Sequence, residues 1–157
     1  MPFIALTATA PPRVRDDIVA SLGLSVGPEG GDPALTRRFV LTFDRPNLHL
    51  SVSKRPPGPV RDAFAALLEE RRATGRLDPT IIYTISRSDT ERVAADLAAA
   101  GLGNEVAAYH AGLDDRGDVH KRFMRDEVSC VVATVAFGMG IDKHNIRRVY
   151  HYGAPAT

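Results

Sequence analysis

The sequence predicts an α/β domain in which a parallel β-sheet is covered by helices on both faces. In the second half of the chain, short apolar segments alternate with longer amphipathic segments. The central apolar segments are hydrophobic at successive positions, as expected for parallel strands that are buried on both faces. The chain has 157 residues, of which 44% are hydrophobic and 25% charged, which is typical of a globular domain able to bury a core.

The first third of the chain predicts one helix among short extended segments. Pro11 and Pro12 favour the first turn of a helix, and Gly23 suits its end. The neighbouring segments are predicted as strands at 3–6, 39–41 and 48–52, a loop at 25–38 and a turn at 44–47.

The remaining chain predicts a regular alternation of helices and strands. Ser88 and Glu91 fit a capping box, which would begin the second of these helices. The helices are expected at 60–74, 89–100 and 115–125, and the strands at 80–83, 106–109, 128–133 and 148–152. Because strand-like segments lie close to both ends of the sequence, further chain is expected before and after it.

Composition excludes several classes of protein. The formal net charge of +1 is too small for a polycation that grips nucleic acid by bulk charge. The single cysteine, Cys130, excludes an internal disulfide framework and a multi-cysteine zinc site. No metal site is predicted. Neither a membrane span nor a secretory leader is apparent, so we expect an intracellular protein without membrane association.

The segment 133–143 carries the clearest chemical signal. It follows an apolar strand, where open α/β sheets place ligand-binding loops. Thr134 offers a hydroxyl and a backbone N–H to an anionic oxygen, and Gly138 and Gly140 allow close approach of the backbone. Asp142 could accept a hydrogen bond from a ribose hydroxyl. A tight glycine turn capped by Asp142 is the alternative.

Four segments together resemble RecQ-family DNA helicases, which belong to superfamily 2. They occur in the order in which that family carries its motor motifs, from the third to the fifth. They are Ala-Leu-Thr-Ala-Thr-Ala at 5–10, Phe-Asp-Arg-Pro-Asn-Leu at 43–48, Ala-Tyr-His-Ala-Gly-Leu at 108–113, and Val-Val-Ala-Thr-Val-Ala-Phe-Gly-Met-Gly-Ile-Asp-Lys at 131–143.

The resemblance implies a RecA-like fold and a two-lobed motor. Residues 1–43 would form the end of the first lobe and the linker, and residues 44–157 the second lobe, truncated before the sixth motif. The complete enzyme would use ATP and Mg²⁺ to translocate 3′ to 5′ on single-stranded and forked DNA. It would unwind duplexes in replication, recombination and repair, in the nucleus of a eukaryote or otherwise in the cytoplasm and nucleoid.

The resemblance also implies roles for individual residues. Thr7 and Thr9 would couple the nucleotide site to DNA, whereas Gly140 and Asp142 would face ATP. The residues implied to contact DNA are Ser86, Arg87, His110, Gly112 and Thr134.

The sequence lacks the groups that handle phosphates in such motors. None of its three lysines follows a glycine, so it contains no phosphate-binding loop. No catalytic residue is therefore expected in this chain, and alone it should neither hold ATP or Mg²⁺ nor hydrolyse ATP. Two alternatives remain open: a passive nucleic-acid-binding module, and a lobe of a related RNA helicase.

Overall fold

The computed structural model describes residues 4–7, 10–25, 27, 37–40, 45–135, 137–138 and 141–153. The chain divides into two compact units, Met1–Ser51 and Val52–Thr157. The predicted lobe boundary at 43–44 stays a prediction. Across the described ranges, no helix is both long enough and apolar enough to cross a membrane.

The first unit contains helix α1, Pro12–Ser21. Pro12 stands at its start, as predicted, where the missing N–H costs no hydrogen bond. Gly23 follows its end with φ of 60°, a left-handed conformation that glycine adopts without strain. None of the residues of α1 is buried.

The second unit is an α/β domain, in agreement with the predicted fold class. A 3-10 turn at Val60–Phe64 precedes the helix Ala65–Thr74. A π-helical turn and then a 3-10 turn follow the helix Arg87–Leu97. The elements are α2 Ala65–Thr74, β1 Thr80–Thr84, α3 Arg87–Leu97, β2 Val106–Tyr109, α4 Arg116–Met124, β3 Cys130–Ala133 and β4 Arg148–Tyr152.

The four strands form one parallel sheet in the order β2-β3-β1-β4. In this register Tyr83 lies beside Ala133 and His151, and Ala133 lies beside Tyr109. These four residues therefore form one row across the sheet, close to the carboxyl ends of the strands.

Each face of the sheet has its own hydrophobic core. On one face Ile82 and Val132 pack with Leu67 of α2 and with Val93 and Leu97 of α3. On the other face the core is made by Ile81, Val131, Val119 and Phe123 of α4, and Phe137. The predicted two-sided burial of the central strands is confirmed, because Val131 and Val132 are successive residues and both are fully buried.

The strands predicted in the first third are wrong for their described residues. Residues 4–6, 39–40 and 48–52 form no strand, and Leu50 is 94% and Val52 is 102% exposed. An alternating pattern becomes a strand only when a neighbouring strand satisfies its N–H and C=O groups. Phe3 and Leu41 lie outside the described residues.

The predicted capping box at Ser88 and Glu91 is also wrong. Helix α3 begins two residues earlier than predicted, and Ser86 is its N-cap. The Ser86 hydroxyl accepts a hydrogen bond from the Asp89 N–H at 3.1 Å and donates to the Asp89 carboxylate at 2.7 Å. Both serines have an acidic residue three positions on, so local sequence alone did not distinguish them.

Candidate nucleic-acid interface

The candidate site lies at the carboxyl edge of the parallel sheet. His110 follows β2, Thr134 follows β3, and Ser86 follows β1 after one intervening residue. Since neighbouring strands are parallel and in register, these three positions share one edge. Loops at this edge are where open α/β sheets bind their ligands.

Ser86 and Arg87 form the start of α3. Hydrogen bonds from Ser86 and then from Arg92 lower the pKa of Asp89, which keeps this first-turn carboxylate ionised. Arg87 is exposed and makes no hydrogen bond or ion pair with any described residue. Its guanidinium is therefore available to an anionic ligand, while Ser86 is committed to the helix cap.

His110 is held from both sides of its ring and is only 3% exposed. Its Nδ1 accepts a hydrogen bond from the Gly112 N–H at 3.2 Å, so the ring proton is assigned to Nε2. Nε2 then donates to the Glu91 carboxylate at 3.0 Å. The Leu113 N–H closes the turn on the His110 carbonyl at 3.1 Å. Both ring nitrogens of His110 are therefore engaged within the chain. The ring shapes the loop and has no free nitrogen for a ligand.

Gly112 marks where three of the predicted residues meet. A Cβ built on Gly112 would lie 3.3 Å from Nη1 of Arg87 and 3.3 Å from Nδ1 of His110. The Arg87 guanidinium therefore extends over the loop that His110 folds. A side chain at position 112 would crowd both groups, which accounts for a glycine there.

Thr134 opens a tight turn next to this loop. Its N–H contacts the Tyr109 carbonyl at 3.4 Å, and its carbonyl accepts from the Phe137 N–H at 3.0 Å. The Thr134 hydroxyl makes no hydrogen bond within the described part of the chain. The hydroxyl is therefore available to an anionic oxygen, whereas the N–H, which the sequence also offers to such an oxygen, is directed at the Tyr109 carbonyl. The predicted contact of Thr134 with DNA stays a prediction.

Asp142 is exposed and has no hydrogen-bond partner among the described residues. Its neighbour Lys143 points the other way, with its side chain 4% exposed and Nζ 2.7 Å from Asp126. No hydrogen bond joins Asp142 to Arg87, His110 or Thr134.

The other predicted site residues belong to the first unit or lie outside the described residues. Thr7 belongs to the first unit and is exposed. Thr9 and Gly140 lie outside the described residues, so their predicted coupling and nucleotide-facing roles stay predictions.

Two residues that support the site were not predicted from the sequence to belong to it. Glu91 orients His110, and the Tyr83 hydroxyl donates to the Phe137 carbonyl at 2.5 Å. Tyr83 carried one available signal: it is a polar-tipped aromatic residue at the end of an otherwise apolar strand. Nothing local predicted a partner for Glu91, because His110 follows 19 positions later.

A known protein family matches more than half of this chain. The family model "Helicase conserved C-terminal domain" matches residues 62–157. The chain belongs to this family. The match includes the whole candidate interface, from Ser86 to Asp142.

Individual relatives agree with the predicted RecQ resemblance. The chain is 46% identical over 158 residues to the mouse bifunctional 3′-5′ exonuclease/ATP-dependent helicase WRN. It is 38% identical to the ATP-dependent DNA helicase RecQ of Pasteurella multocida and 37% identical to the ATP-dependent helicase SGS1 of Saccharomyces cerevisiae. These alignments cover 99–100% of the chain but only 10%, 22% and 10% of the WRN, RecQ and SGS1 lengths. The predicted resemblance is confirmed.

The fold is also found in a solved structure. Yeast Dbp5, solved with RNA and ADP BeF3, superposes with a TM-score of 0.58 at 18% identity and covers 96% of this chain and 36% of its own. At this identity the likeness concerns the fold alone. The predicted RecA-like fold is confirmed.

Proposed function

We propose that this helicase C-terminal domain serves as the second motor lobe of a RecQ-type, ATP-dependent 3′-5′ DNA helicase. One observation carries the proposal. Arg87, Gly112 and His110 converge beside Thr134 at the carboxyl edge of the sheet, with the Arg87 guanidinium and the Thr134 hydroxyl uncommitted among the described residues. The segments that hold these residues match those of relatives named as ATP-dependent helicases.

The proposed contact is with the phosphate backbone of single-stranded DNA. Arg87 supplies a charge-assisted hydrogen bond, Thr134 a hydroxyl, and Ser86, His110 and Gly112 the local backbone that shapes the loops. Contacts to phosphate oxygens carry no sequence information. Binding should therefore be independent of sequence, as a motor that moves along DNA requires.

The nucleotide would lie towards Gly140 and Asp142. The Asp142 carboxylate is exposed and unpaired within the described residues, so it fits an acceptor for a ribose hydroxyl. ATP supplies the free energy of translocation when bound. We propose that Mg²⁺ and the phosphates are held by the first motor lobe, because this sequence contains no Gly-Lys phosphate loop.

We also propose a domain organisation, a substrate and a cellular location for the complete motor. Residues 1–43, with Thr7 and Thr9, would complete the first lobe and couple its nucleotide site to DNA, and residues 44–157 would form the second lobe. Forked DNA is the proposed substrate of the complete motor, in the nucleus of a eukaryote or the nucleoid of a bacterium, without membrane association. Replication, recombination and repair are the processes that would use it.

A binding titration tests the lobe directly. The purified chain is titrated with two unrelated single-stranded DNA oligonucleotides and one RNA of the same length, each at two salt concentrations. We expect dissociation constants in the non-specific range, roughly 10⁻⁴ to 10⁻⁶ M, that rise with salt as neutralised phosphates release counterions. Salt-independent or strongly sequence-selective binding would contradict the proposed contact with the phosphate backbone. A clear preference for RNA would favour an RNA helicase.

An activity assay separates a motor from a passive binding module. The chain alone should show no ATPase above background, with or without DNA. When it is joined to a first motor lobe and a sixth motif, ATP hydrolysis and unwinding of forked DNA should appear. DNA binding without any DNA-stimulated hydrolysis in that protein would favour the passive module.

A further inference from the structure

The turn after β3 is fixed at Phe137 by three separate contacts. The side chain of Phe137 is 2% exposed and packs on Tyr109 and Phe123, with ring centroids 4.5 and 5.8 Å away. Its N–H donates to the Thr134 carbonyl at 3.0 Å. Its carbonyl accepts from the Tyr83 hydroxyl at 2.5 Å. The third contact reaches across to β1, the strand that leads to Ser86 and Arg87.

Tyr83 is itself held rigidly where it makes this bond. Its ring stacks on that of His151 with centroids 5.3 Å apart, and the two residues are register partners in the sheet. Burial raises the pKa of Tyr83 above its ordinary value, so the hydroxyl keeps its proton and acts as a donor at neutral pH.

Gly138 lies against the same hydroxyl. A Cβ built on Gly138 would stand 3.2 Å from the Tyr83 oxygen, closer than ordinary van der Waals contact. Gly138 is not among the residues with positive φ, so its backbone would accept alanine. Among the described residues, the nearest obstacle to a side chain at position 138 is thus the Tyr83 oxygen.

We propose that Tyr83 is a positioning residue, whose hydroxyl fixes the Phe137–Gly138 backbone and so sets Thr134 relative to Arg87. The inference rests on the proposed function, since it concerns the surface assigned to DNA. The hydroxyl bonds to the carbonyl end of a turn whose other end is Thr134. Through β1 it connects that turn to Arg87 at the start of α3. A change at Tyr83 should therefore alter DNA binding without touching DNA.

The chain offers a matched control for removal of this hydroxyl. Tyr150 lies on β4 and is also partly buried, and burial raises its pKa too. Its ring packs against Phe64 with centroids 5.5 Å apart, on the other face of the sheet. The Tyr150 hydroxyl makes no hydrogen bond to the described residues. Tyr150→Phe therefore removes an equivalent atom from the same sheet without loosening the turn.

A double-mutant cycle in the 157-residue chain tests the inference. Tyr83→Phe should weaken single-stranded DNA binding about two- to tenfold, because it removes one hydrogen bond that holds the turn. Gly138→Ala should weaken it similarly, because the phenol oxygen must move. In the double variant the second substitution should add less than about twofold, since the oxygen that obstructs a side chain at position 138 is gone. Tyr150→Phe should leave the affinity unchanged.

Two further readouts separate positioning from a general loss of stability. Denaturant unfolding identifies conditions in which every variant is folded, and affinities are compared there. Amide chemical shifts should change within residues 134–138 in Tyr83→Phe and spare α2 and α3. Shifts spread through both cores would overturn the inference, as would full additivity of the two substitutions.

Arg87→Ala distinguishes this inference from the proposed function. If Arg87→Ala weakens DNA binding but Tyr83→Phe does not, the positioning role of Tyr83 is wrong and the DNA surface stands. If Arg87→Ala has no effect and binding does not depend on salt, the DNA surface itself is wrong, and the inference falls with it.

Discussion

Nε2 of His110 lies 3.0 Å from Oε1 of Glu91, which ties the loop after β2 to helix α3. The same ring accepts the Gly112 N–H through Nδ1. A side chain that the sequence places among DNA contacts is therefore also a structural brace, with both ring nitrogens committed inside the chain.

Replacing this brace should cost folding stability. His110→Phe keeps a buried ring but leaves the Gly112 N–H without its acceptor, which should lower the free energy of unfolding by about 1–3 kcal/mol. Glu91→Gln keeps a carbonyl oxygen for Nε2–H, and Glu91 is 62% exposed, so its cost should stay under about 1 kcal/mol. Urea unfolding measures both, and equal effects of the two substitutions would contradict the brace.

Arg87 should contribute charge to DNA binding without reading sequence. Arg87→Ala should weaken binding to unrelated single strands to a similar extent and reduce the slope of log affinity against log salt by about 1. Arg76→Ala is the matched control, because Arg76 is also exposed but lies at the opposite edge of the sheet, beside Leu77 and Pro79. A loss of affinity in Arg76→Ala as large as that in Arg87→Ala would point to bulk charge instead of a site.

Asp142 should matter for the nucleotide more than for DNA. In a two-lobed protein that carries this chain, Asp142→Ala should raise the ATP concentration needed for half-maximal hydrolysis about tenfold or more, about 1.5–3 kcal/mol for one lost hydrogen bond to a charged group. Its DNA affinity should change less than twofold. Loss of DNA affinity with unchanged use of ATP would contradict the assignment.

The pair of Asp126 and Lys143 should make stability depend on pH in the acid range. The hydrogen bond from Lys143, with a smaller one from Asn145, holds the pKa of Asp126 below its ordinary value. The pair therefore stabilises the fold above the unfolded-state pKa of about 3.9 and is lost as pH falls through the lower folded-state value.

Asp126→Asn tests this dependence. Asn tolerates the left-handed backbone found at Asp126, where φ is 60°. The variant should be less stable at pH 7 by about 1 kcal/mol, because Asp126 is half exposed and water screens the pair. The difference should shrink below pH 4. Glu127→Gln is the control, since its ion pair with Arg125 is exposed and 4.0 Å long; a constant difference at all pH values would contradict the linkage.

Cys130 should report opening of the sheet. It is fully buried at the start of β3, and burial raises the pKa of its thiol to about 12. A thiol reagent at pH 8 should therefore label the native chain only through unfolding, at a rate that denaturant accelerates. Immediate stoichiometric labelling of the folded chain would show that β3 is not buried as described.

The regular half of this fold is determined by the sequence at short range. Apolar residues at successive positions, as at Val131 and Val132, need cover on both faces, and a parallel sheet between helix layers provides it. Residue type and place along the chain were also enough to put Thr134, His110 and Arg87 at one edge, because parallel strands end together. The resemblance to the helicase family was predicted from four motif segments and their order along the chain.

The tertiary structure distinguishes between alternatives that local sequence patterns leave open. Ser86 and Ser88 are both suitable caps, and in the folded chain Ser86 is the residue that caps α3. Leu48 and Leu50 alternate as a strand does, yet they form none, because a strand needs a partner that no local pattern supplies. The contacts of Tyr83 with Phe137 and of Glu91 with His110 join residues 54 and 19 positions apart. They exist because the sheet and helix α3 bring separate segments of the chain together, and that proximity is a property of the folded chain alone.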